Sequence, residues 1–122
     1  MSCLDNARQL QQMMGQGQTM EAFEKFYHDN VKVTEMATGE VRQGKDTQRE
    51  AIKGWQASIK EWHGGGSGPV TSNEDKQTTM VESWFDATFQ DGNRMKMEEV
   101  AVQKWKDGQI VEERFYYNVP GA

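Results

Sequence analysis

Three glutamates have the residue type and the spacing for proton-transfer chemistry, and Glu35 is the first of them. It follows Val31 and Val33 at every second position, so in a strand it points to the same apolar face as the two valines. A carboxylate on an apolar face is costly unless it is paired or used. A dry environment favours the protonated form of a carboxylate, which suits a general base. Glu35 is therefore a candidate base, and the structural alternative is an ion pair with Arg42 or Lys45.

Glu99 and Glu113 form a second candidate pair, because two neighbouring strands near the C-terminus can bring them face to face. When two carboxylates face each other, one pKa rises, so that an acid and a base can coexist. The alternative is that both are solvated at the open mouth of the sheet, or paired with Arg94 or Arg114. Glu35, Glu99 and Glu113 are the predicted catalytic residues.

Other site chemistries find little support in the sequence. His28 and His63 stand far apart, without the cysteine or carboxylate spacing of a metal site, so neither a metal nor a cofactor is expected. The glycine-rich stretch 63–69 lacks the Gly-Lys-Ser/Thr ending of a phosphate loop. There is no Gly-x-Ser-x-Gly elbow for a serine nucleophile.

Composition narrows the class of protein. The chain has 122 residues, and 19 acidic against 14 basic residues give a net charge of −5, which argues against nucleic acid or an anionic membrane as partner. A transmembrane helix needs a long apolar run, and the sequence has none. The lone Cys3 and an N-terminus without a signal segment favour the cytoplasm. We expect one domain over residues 1–122.

Hydrophobic periodicity predicts three helices. The first spans residues 4–14, and Gly15 and Gly17 end it. The second spans 19–28, with the Thr19 hydroxyl as its N-cap. The third spans 45–62, and its apolar stripe consists of Ile52, Trp55, Ile59 and Trp62.

Strands account for most of the remainder. A short strand covers 31–36, and an irregular small hairpin follows it over 38–44. Residues 63–69 read as a flexible loop, and residues 70–76 as a polar edge strand. From Thr78 to Tyr117, two Asp-Gly pairs separate three runs rich in β-formers, the pattern of an antiparallel meander. The element order predicts an α+β fold.

The turn type at the Asp-Gly pairs decides which side chains share a face, because a slip of one residue flips every side chain. A two-residue turn pairs Lys106 with Gln109, whereas a three-residue loop with a bulge pairs Trp105 with Gln109. The two-residue form also gives a fairly apolar face, but we favour the three-residue form, which sets Glu99 and Glu113 on one face of neighbouring strands. The inner face is then Val81, Ser83, Phe85, Met97, Glu99, Ala101, Gln103, Trp105, Val111, Glu113, Phe115 and Tyr117. The outer face includes Met80, Trp84, Val100, Val102, Ile110 and Tyr116.

Two segments resemble a known family. Residues 27–30 read Tyr-His-Asp-Asn and lead into a short strand that ends in Glu35, with Gly44 before the next helix. The final hairpin, residues 106–117, reads KDGQIVEERFYY. Together they resemble the SnoaL-like group of the nuclear transport factor 2-like superfamily, which also holds ketosteroid isomerase.

This resemblance implies a curved antiparallel sheet wrapped about a conical cavity, closed by the three helices, in a protein that usually forms a homodimer. Glu35 then matches the proton-shuttling Asp of ketosteroid isomerase. The oxyanion-hole residues of that enzyme are missing, since residues 9–14 hold no Tyr and its Asp falls near Ala101. The chain is therefore not expected to be a ketosteroid isomerase in the strict sense. The apolar patch on the outer face independently predicts a homodimer.

Two function classes remain open at this stage, so the sequence does not decide whether the protein is an enzyme. One is a cofactor-free isomerase, cyclase or lyase that uses a pocket carboxylate as general acid or base on a hydrophobic carbonyl substrate. The other is a non-catalytic ligand-binding or dimerisation module. Convergent polar groups in the cavity would favour the enzyme. The predicted ligand-binding residues are Phe23, Tyr27, Val33, Trp55, Ile59, Val81, Ser83, Phe85, Met97, Ala101, Gln103, Phe115 and Tyr117.

Overall fold

The structure, a computed structural model, describes residues 2–118, and a single open sheet with three helices accounts for most of them. The predicted α+β class is confirmed. The strand order in the sheet is β2-β1-β6-β5-β4-β3. The elements in chain order are α1 (Cys3–Gly15), α2 (Thr19–Phe26), β1 (Tyr27–Glu35), β2 (Glu40–Gln43), α3 (Lys45–Ser58), β3 (Ile59–Asn73), β4 (Thr78–Phe89), β5 (Arg94–Lys106) and β6 (Gln109–Tyr117).

The sheet is mixed, which corrects the purely antiparallel sheet that the resemblance implied. β1 pairs antiparallel with β2 but parallel with β6, where Val33 lies beside Glu113 and Glu35 beside Phe115. Parallel neighbours need a long crossover, and here α3 with the strands β3 to β5 supplies it. The parallel pairing places Glu35 and Glu113 on the same face of the sheet.

The hydrophobic core lies between α1, α2 and the sheet around β1. Leu10, Phe23, Val31 and Ile110 are each no more than 1% exposed. Trp105 packs edge-on against Phe26, with ring centroids 5.9 Å apart. Burial of such large apolar side chains supplies most of the driving force that holds the two helices on the sheet.

Two helix boundaries differ from the prediction. The second helix ends at Phe26, and Tyr27 already belongs to β1, where its hydroxyl reaches a buried partner on β6. Thr19 is the first helical residue rather than the N-cap, and Gln18 precedes it without a side-chain capping bond. The third helix ends at Ser58, so Ile59 and Trp62 lie in β3.

Among residues 2–118, no helix has the length and apolarity that crossing a membrane requires.

The glycine-rich stretch 63–69 is part of β3, which corrects the predicted loop, and β3 is an edge strand of the sheet. A Cβ atom on Gly65 would lie 2.6 Å from the Trp62 ring and 3.1 Å from the Trp84 carbonyl oxygen. A Cβ atom on Gly66 would lie 3.1 Å from the Trp84 ring. Glycine therefore occurs here because two tryptophan rings lie against the strand.

The first Asp-Gly turn has the predicted three-residue loop. Phe89 N donates to Asn93 O at 2.8 Å, and Thr88 pairs with Arg94. Gly92 adopts φ +89°, a conformation that glycine accepts at low cost. On β4 and β5, residues predicted for the inner face lie opposite one another, as the pairs Val81–Ala101, Ser83–Glu99 and Phe85–Met97.

At the second Asp-Gly turn the prediction was wrong. Asp107 and Gly108 both have positive φ, 51° and 79°, and form a two-residue turn in which Lys106 pairs with Gln109. Two positive φ values match the twist of the flanking strands. This turn places Ile110 opposite Trp105 in the core rather than on the outer face.

A register shift between Lys104 and Trp105 then returns the β6 side chains beyond the turn to the faces predicted for them. One additional residue on β6 makes Glu112 the partner of Lys104, so that Glu113 faces Gln103. Glu99 faces Tyr117. The predicted direct pairing of Glu99 with Glu113 is therefore wrong, although both remain on the inner face.

Candidate functional site

Glu113 lies at the inner end of the candidate site and is 1% exposed. Its Oε1 accepts a hydrogen bond from the Tyr27 hydroxyl, and its Oε2 accepts one from Gln103 Nε2 at 2.8 Å. Burial raises the pKa of Glu113 to about 7, the charge of Glu35 adds to the rise, and the two donors oppose it. Both oxygens are occupied, and solvent hardly reaches them.

A chain of buried hydrogen bonds runs from Trp105 to Glu113. Trp105 Nε1 donates to Thr79 Oγ1 at 2.8 Å, and Thr79 Oγ1 donates to Gln103 Oε1 at 2.9 Å. Gln103 in turn donates to Glu113. All four residues are buried, and each polar group in the chain has a partner. Sequence reasoning missed Thr79 altogether and assigned Trp105 no role in the site.

Glu99 occupies the middle of the inner face, half-buried between Ser83 on β4 and Tyr117 on β6. Burial raises the pKa of Glu99 to about 7, and the charges of Glu113 and Glu35 add to this effect, whereas a hydrogen bond from Ser83 opposes it. Within residues 2–118, no cationic side chain forms a salt bridge with Glu99. It is thus a partly accessible acid whose pKa lies near neutrality.

Glu35 has two strong partners on the same face. Its Oε2 lies 2.6 Å from Arg42 Nη2, and its Oε1 accepts a hydrogen bond from the Tyr117 hydroxyl at 2.8 Å. Arg42 also donates to Glu40 at 2.9 Å and to Gln48 at 2.6 Å. Of the two alternatives named from the sequence, Arg42 is therefore the ion-pair partner.

The other basic residues named as alternatives pair elsewhere. Lys45 Nζ lies 3.6 Å from a carboxylate oxygen of Glu24 on α2. Arg94 binds Asp86 at 3.0 Å, and Arg114 lies 3.8 Å from Glu112. Neither Arg94 nor Arg114 therefore pairs with an acid of the inner face.

Tyr117 connects two of the acids. Its hydroxyl donates to Glu35, and its backbone position pairs with Glu99. Burial raises the pKa of Tyr117 to about 12, with further contributions from the hydrogen bond to Glu35 and from nearby carboxylate charge. The hydroxyl consequently keeps its proton at neutral pH.

Three aromatic rings from α3, β3 and β4 meet beside the acids, and we call Trp55, Trp62 and Phe85 the aromatic cluster. The Trp55 and Phe85 ring centroids are 5.3 Å apart, and the Trp62 and Phe85 rings stack at 6.0 Å. Trp55 is 41% exposed and Trp62 is 52% exposed. The Phe85–Met97 pair lies one pleat, roughly 7 Å, along the sheet from Ser83–Glu99. Because sequence reasoning placed Trp62 in a helix, it missed this residue.

The predicted ligand-binding residues divide by exposure into two groups. The first group is buried and belongs to the packing that holds the site: Phe23, Tyr27, Val33, Val81, Ala101 and Gln103. The second group is at least partly exposed and borders the inner face: Trp55, Ile59, Ser83, Phe85, Met97, Phe115 and Tyr117.

Two cavities open on the part of the chain that the structure describes. One of about 690 Å³ lies at the end of the sheet, between the turn at Met36 and the strand ends at Met97 and Tyr117. A smaller one of about 160 Å³ lies against Trp84 on the outer face.

In residues 2–118, no group of three His, Cys, Asp or Glu side chains is arranged to hold a metal ion.

Comparison with known proteins identifies the family. Residues 1–117 match the model of the SnoaL-like domain. A "putative SnoaL-like polyketide cyclase" from Mesorhizobium loti is 32% identical, with a TM-score of 0.87 over 96% of this chain and 100% of that one. No curated protein matches the sequence.

More distant solved structures share the fold. A "putative isomerase" from Bacillus subtilis is 20% identical, with a TM-score of 0.75 over 93% of this chain and 84% of that one. A protein with a ketosteroid isomerase-like fold from Catenulispora acidiphila is 11% identical, with a TM-score of 0.68 over 80% and 74% of the two chains. The match over nearly the whole length, together with the sheet and helices described above, shows that the chain belongs to the SnoaL-like family.

Proposed function

We propose that this SnoaL-like protein binds a small, mainly apolar carbonyl compound and transfers a proton at the carbon next to the carbonyl. The reaction class is that of an isomerase, cyclase or lyase that uses protein carboxylates as acid and base. One observation carries the proposal: Glu99 is a half-buried carboxylate with its pKa raised to about 7 on the inner face of the sheet. General acid–base catalysis is most effective when the catalytic pKa lies near the working pH.

The three glutamates of the inner face have different roles in this proposal. Glu99 is the proton-exchanging group, because it is partly accessible and has no cationic partner among the described residues. Glu35, held by Arg42 and Tyr117, provides negative charge that raises the pKa of Glu99. Glu113 is too deeply buried to touch a substrate. The base that the sequence assigned to Glu35 is thus proposed for Glu99 instead.

The aromatic cluster provides the apolar contact that such a substrate needs. Large exposed aromatic side chains on one surface mark binding sites. Trp55 and Trp62 contact Phe85, which is adjacent to Glu99 along the strands. A ligand lying on these rings extends its polar end toward Glu99. The name of the Mesorhizobium loti relative, a putative polyketide cyclase, fits the same class of reaction.

The alternative function is ligand binding without catalysis. The exposure of Trp55 and Trp62 favours binding of an apolar ligand regardless of what the acids do. The convergence of Glu35, Glu99, Tyr117 and Arg42 on one face favours the enzyme, since a simple carrier of apolar ligands gains nothing from buried carboxylates.

A two-stage experiment tests the proposal. Small hydrophobic carbonyl compounds are first screened by thermal shift, because a ligand that binds the native state raises the melting temperature. Each ligand found is then incubated with the protein in D₂O, and exchange of its α-protons is followed by NMR. We expect the wild type to accelerate exchange, and Glu99→Gln to bind the ligand but lose most of the acceleration, about 100-fold or more.

The matched control is Glu112→Gln, which removes a carboxylate from the outer face of the adjacent strand and should exchange like the wild type. A wild type that binds ligands without accelerating exchange would establish the non-catalytic alternative. A Glu99→Gln variant that exchanges as fast as the wild type would overturn the role of Glu99.

A further inference from the structure

Two acids on the inner face have a raised pKa, yet only one of them can meet a substrate. Glu113 is 1% exposed, and both of its oxygens already accept hydrogen bonds. Glu99 is half-buried and borders the aromatic cluster. Two nearby carboxylates cannot both be ionised at low cost, so the environment must select which one holds the charge.

The hydrogen bonds around Glu113 make that selection. The Tyr27 hydroxyl has its pKa raised well above the ordinary value, by burial and by the charge of Glu113, so it keeps its proton and acts as a donor. Gln103 presents its NH₂ group to Glu113 and its carbonyl oxygen to Thr79. Donors to both oxygens stabilise the ionised form of a carboxylate.

The orientation of the Gln103 amide is fixed by residues that touch neither acid. Trp105 Nε1 can only donate, and it donates to the Thr79 oxygen. The single hydroxyl proton of Thr79 is therefore free to point at Gln103 Oε1. If the amide of Gln103 turned over, two donors would meet at Thr79 with an oxygen facing Glu113. The chain from Trp105 thus directs a donor toward Glu113.

We propose that Tyr27 and Gln103 are positioning residues that keep the negative charge on Glu113 and thereby leave the proton, and its exchange with substrate, to Glu99. The proposal deepens the function proposed above, since it names the residues that tune the same proton-exchanging group. The charged and titratable groups around Glu99 are Glu113 and Tyr117 on β6, Glu35 and Tyr27 on β1, and Arg42 on β2, with Ser83 as its neutral hydrogen-bond partner on β4.

The test is a titration of the glutamate carboxylates by NMR in the protein without ligand, from about pH 4 to about pH 9, a range that brackets the ordinary and the raised values. In Tyr27→Phe, Glu113 loses one donor, so its pKa should rise further and it should be neutral at pH 7. Glu99 then loses the adjacent charge, so its pKa should fall by roughly one pH unit toward the ordinary value for glutamate. Opposite movement of the two pKa values supports the proposal.

Tyr116→Phe is the matched control, because it removes the same hydroxyl from an exposed tyrosine on the outer face. It should change neither titration. If Tyr27→Phe leaves Glu99 unchanged, or moves both carboxylates in the same direction, the proposal is wrong and Tyr27 only holds the fold together.

Two further variants keep the test decisive if Tyr27→Phe does not fold. Glu113→Gln removes the charge itself, so the pKa of Glu99 must fall; if it does not, the coupling is absent. Thr79→Val keeps the shape of the side chain but frees the Gln103 amide, and it should produce the same opposite movement in smaller degree. Because these titrations need no substrate, they can fail while α-proton exchange is still observed, and the reverse also holds. The failure of this proposal can therefore be told from the failure of the proposed function.

Discussion

Arg42 and Glu35 form a short ion pair across β1 and β2, with 2.6 Å between Nη2 and Oε2 and side chains only 15% and 16% exposed. Low exposure makes the pair sensitive to the loss of one partner, because the remaining charge is then poorly solvated. Glu40 and Gln48 also accept from Arg42, so some compensation remains.

The first prediction is that Glu35→Gln lowers the free energy of unfolding by about 1–3 kcal/mol, as expected when a half-buried charged group loses a hydrogen-bonded partner. Urea denaturation measures it. The control is Glu40→Gln, which removes the more exposed partner of Arg42, 57% exposed, and should lower stability by less than about 1 kcal/mol. A Glu35→Gln variant as stable as the wild type would show that the ion pair is not structural and would restore Glu35 as the candidate base.

The second prediction concerns the outer face of the sheet, where Met80, Trp84 and Tyr116 are each 40–45% exposed. Exposed apolar side chains on one face favour association, and we propose a homodimer through this surface. Sedimentation at about 10–100 µM, the range of ordinary interface affinities, should show a dimer for the wild type and a monomer for Trp84→Glu. Trp62→Glu places the same charge on the inner face and should remain dimeric. A monomeric wild type in this range would contradict the prediction.

The third prediction is that Gly65→Ala destabilises the protein by about 1–3 kcal/mol, the usual cost of overpacking. The new methyl group would meet the Trp62 ring at 2.6 Å, and the Trp84 carbonyl on the other strand leaves it little room to move aside. Near-ultraviolet circular dichroism should change as well, because the Trp62 ring must leave its stack on Phe85. Gly68→Ala is the control, since its nearest neighbour would be the Glu82 carbonyl oxygen at an ordinary 3.6 Å. Equal stability of the two variants would show that the rings do not confine the strand.

The turn chemistry explains how much of the sheet could be predicted from the sequence. Asp-Gly pairs mark hairpins because glycine accepts positive φ, and both predicted hairpins are present. The number of residues in each turn is not encoded in the pair itself: Gly92 closes a three-residue loop, whereas Asp107 and Gly108 form a two-residue turn. The inner face was still identified beyond Glu112, because a bulge on β6 compensated for the wrong turn.

The site could be predicted by residue type but not by partner. The alternation of Val31, Val33 and Glu35 along β1 placed Glu35 correctly on the inner face. Alternation of this kind is a property of one strand alone. The sequence named Arg42 and Lys45 as possible partners of Glu35 but could not choose between them. The choice depends on how β2 returns against β1, and the short stretch 40–43 contains no pattern that fixes this register. Tyr27 followed a helical pattern, yet its hydroxyl bonds to Glu113, 86 residues later, which the sequence does not show. Long-range contacts of this kind override local propensity.

The last prediction concerns the pH dependence of stability through Glu99. Its pKa rises from 4.5 to about 7 on folding, so between these two values the native state binds more protons than the unfolded state. The free energy of unfolding should therefore fall as the pH rises through this window, and the loss should be complete above about pH 7. Glu99→Gln removes the group that loses solvation, so its stability relative to the wild type should increase from about pH 5 to about pH 8, by about 2 kcal/mol. Urea denaturation of both proteins at a series of pH values measures the difference, with Glu112→Gln as the control for removing one negative charge. Parallel curves for the wild type and Glu99→Gln would mean that folding does not raise the pKa of Glu99, and the proposed acid–base role would lose the observation on which it rests.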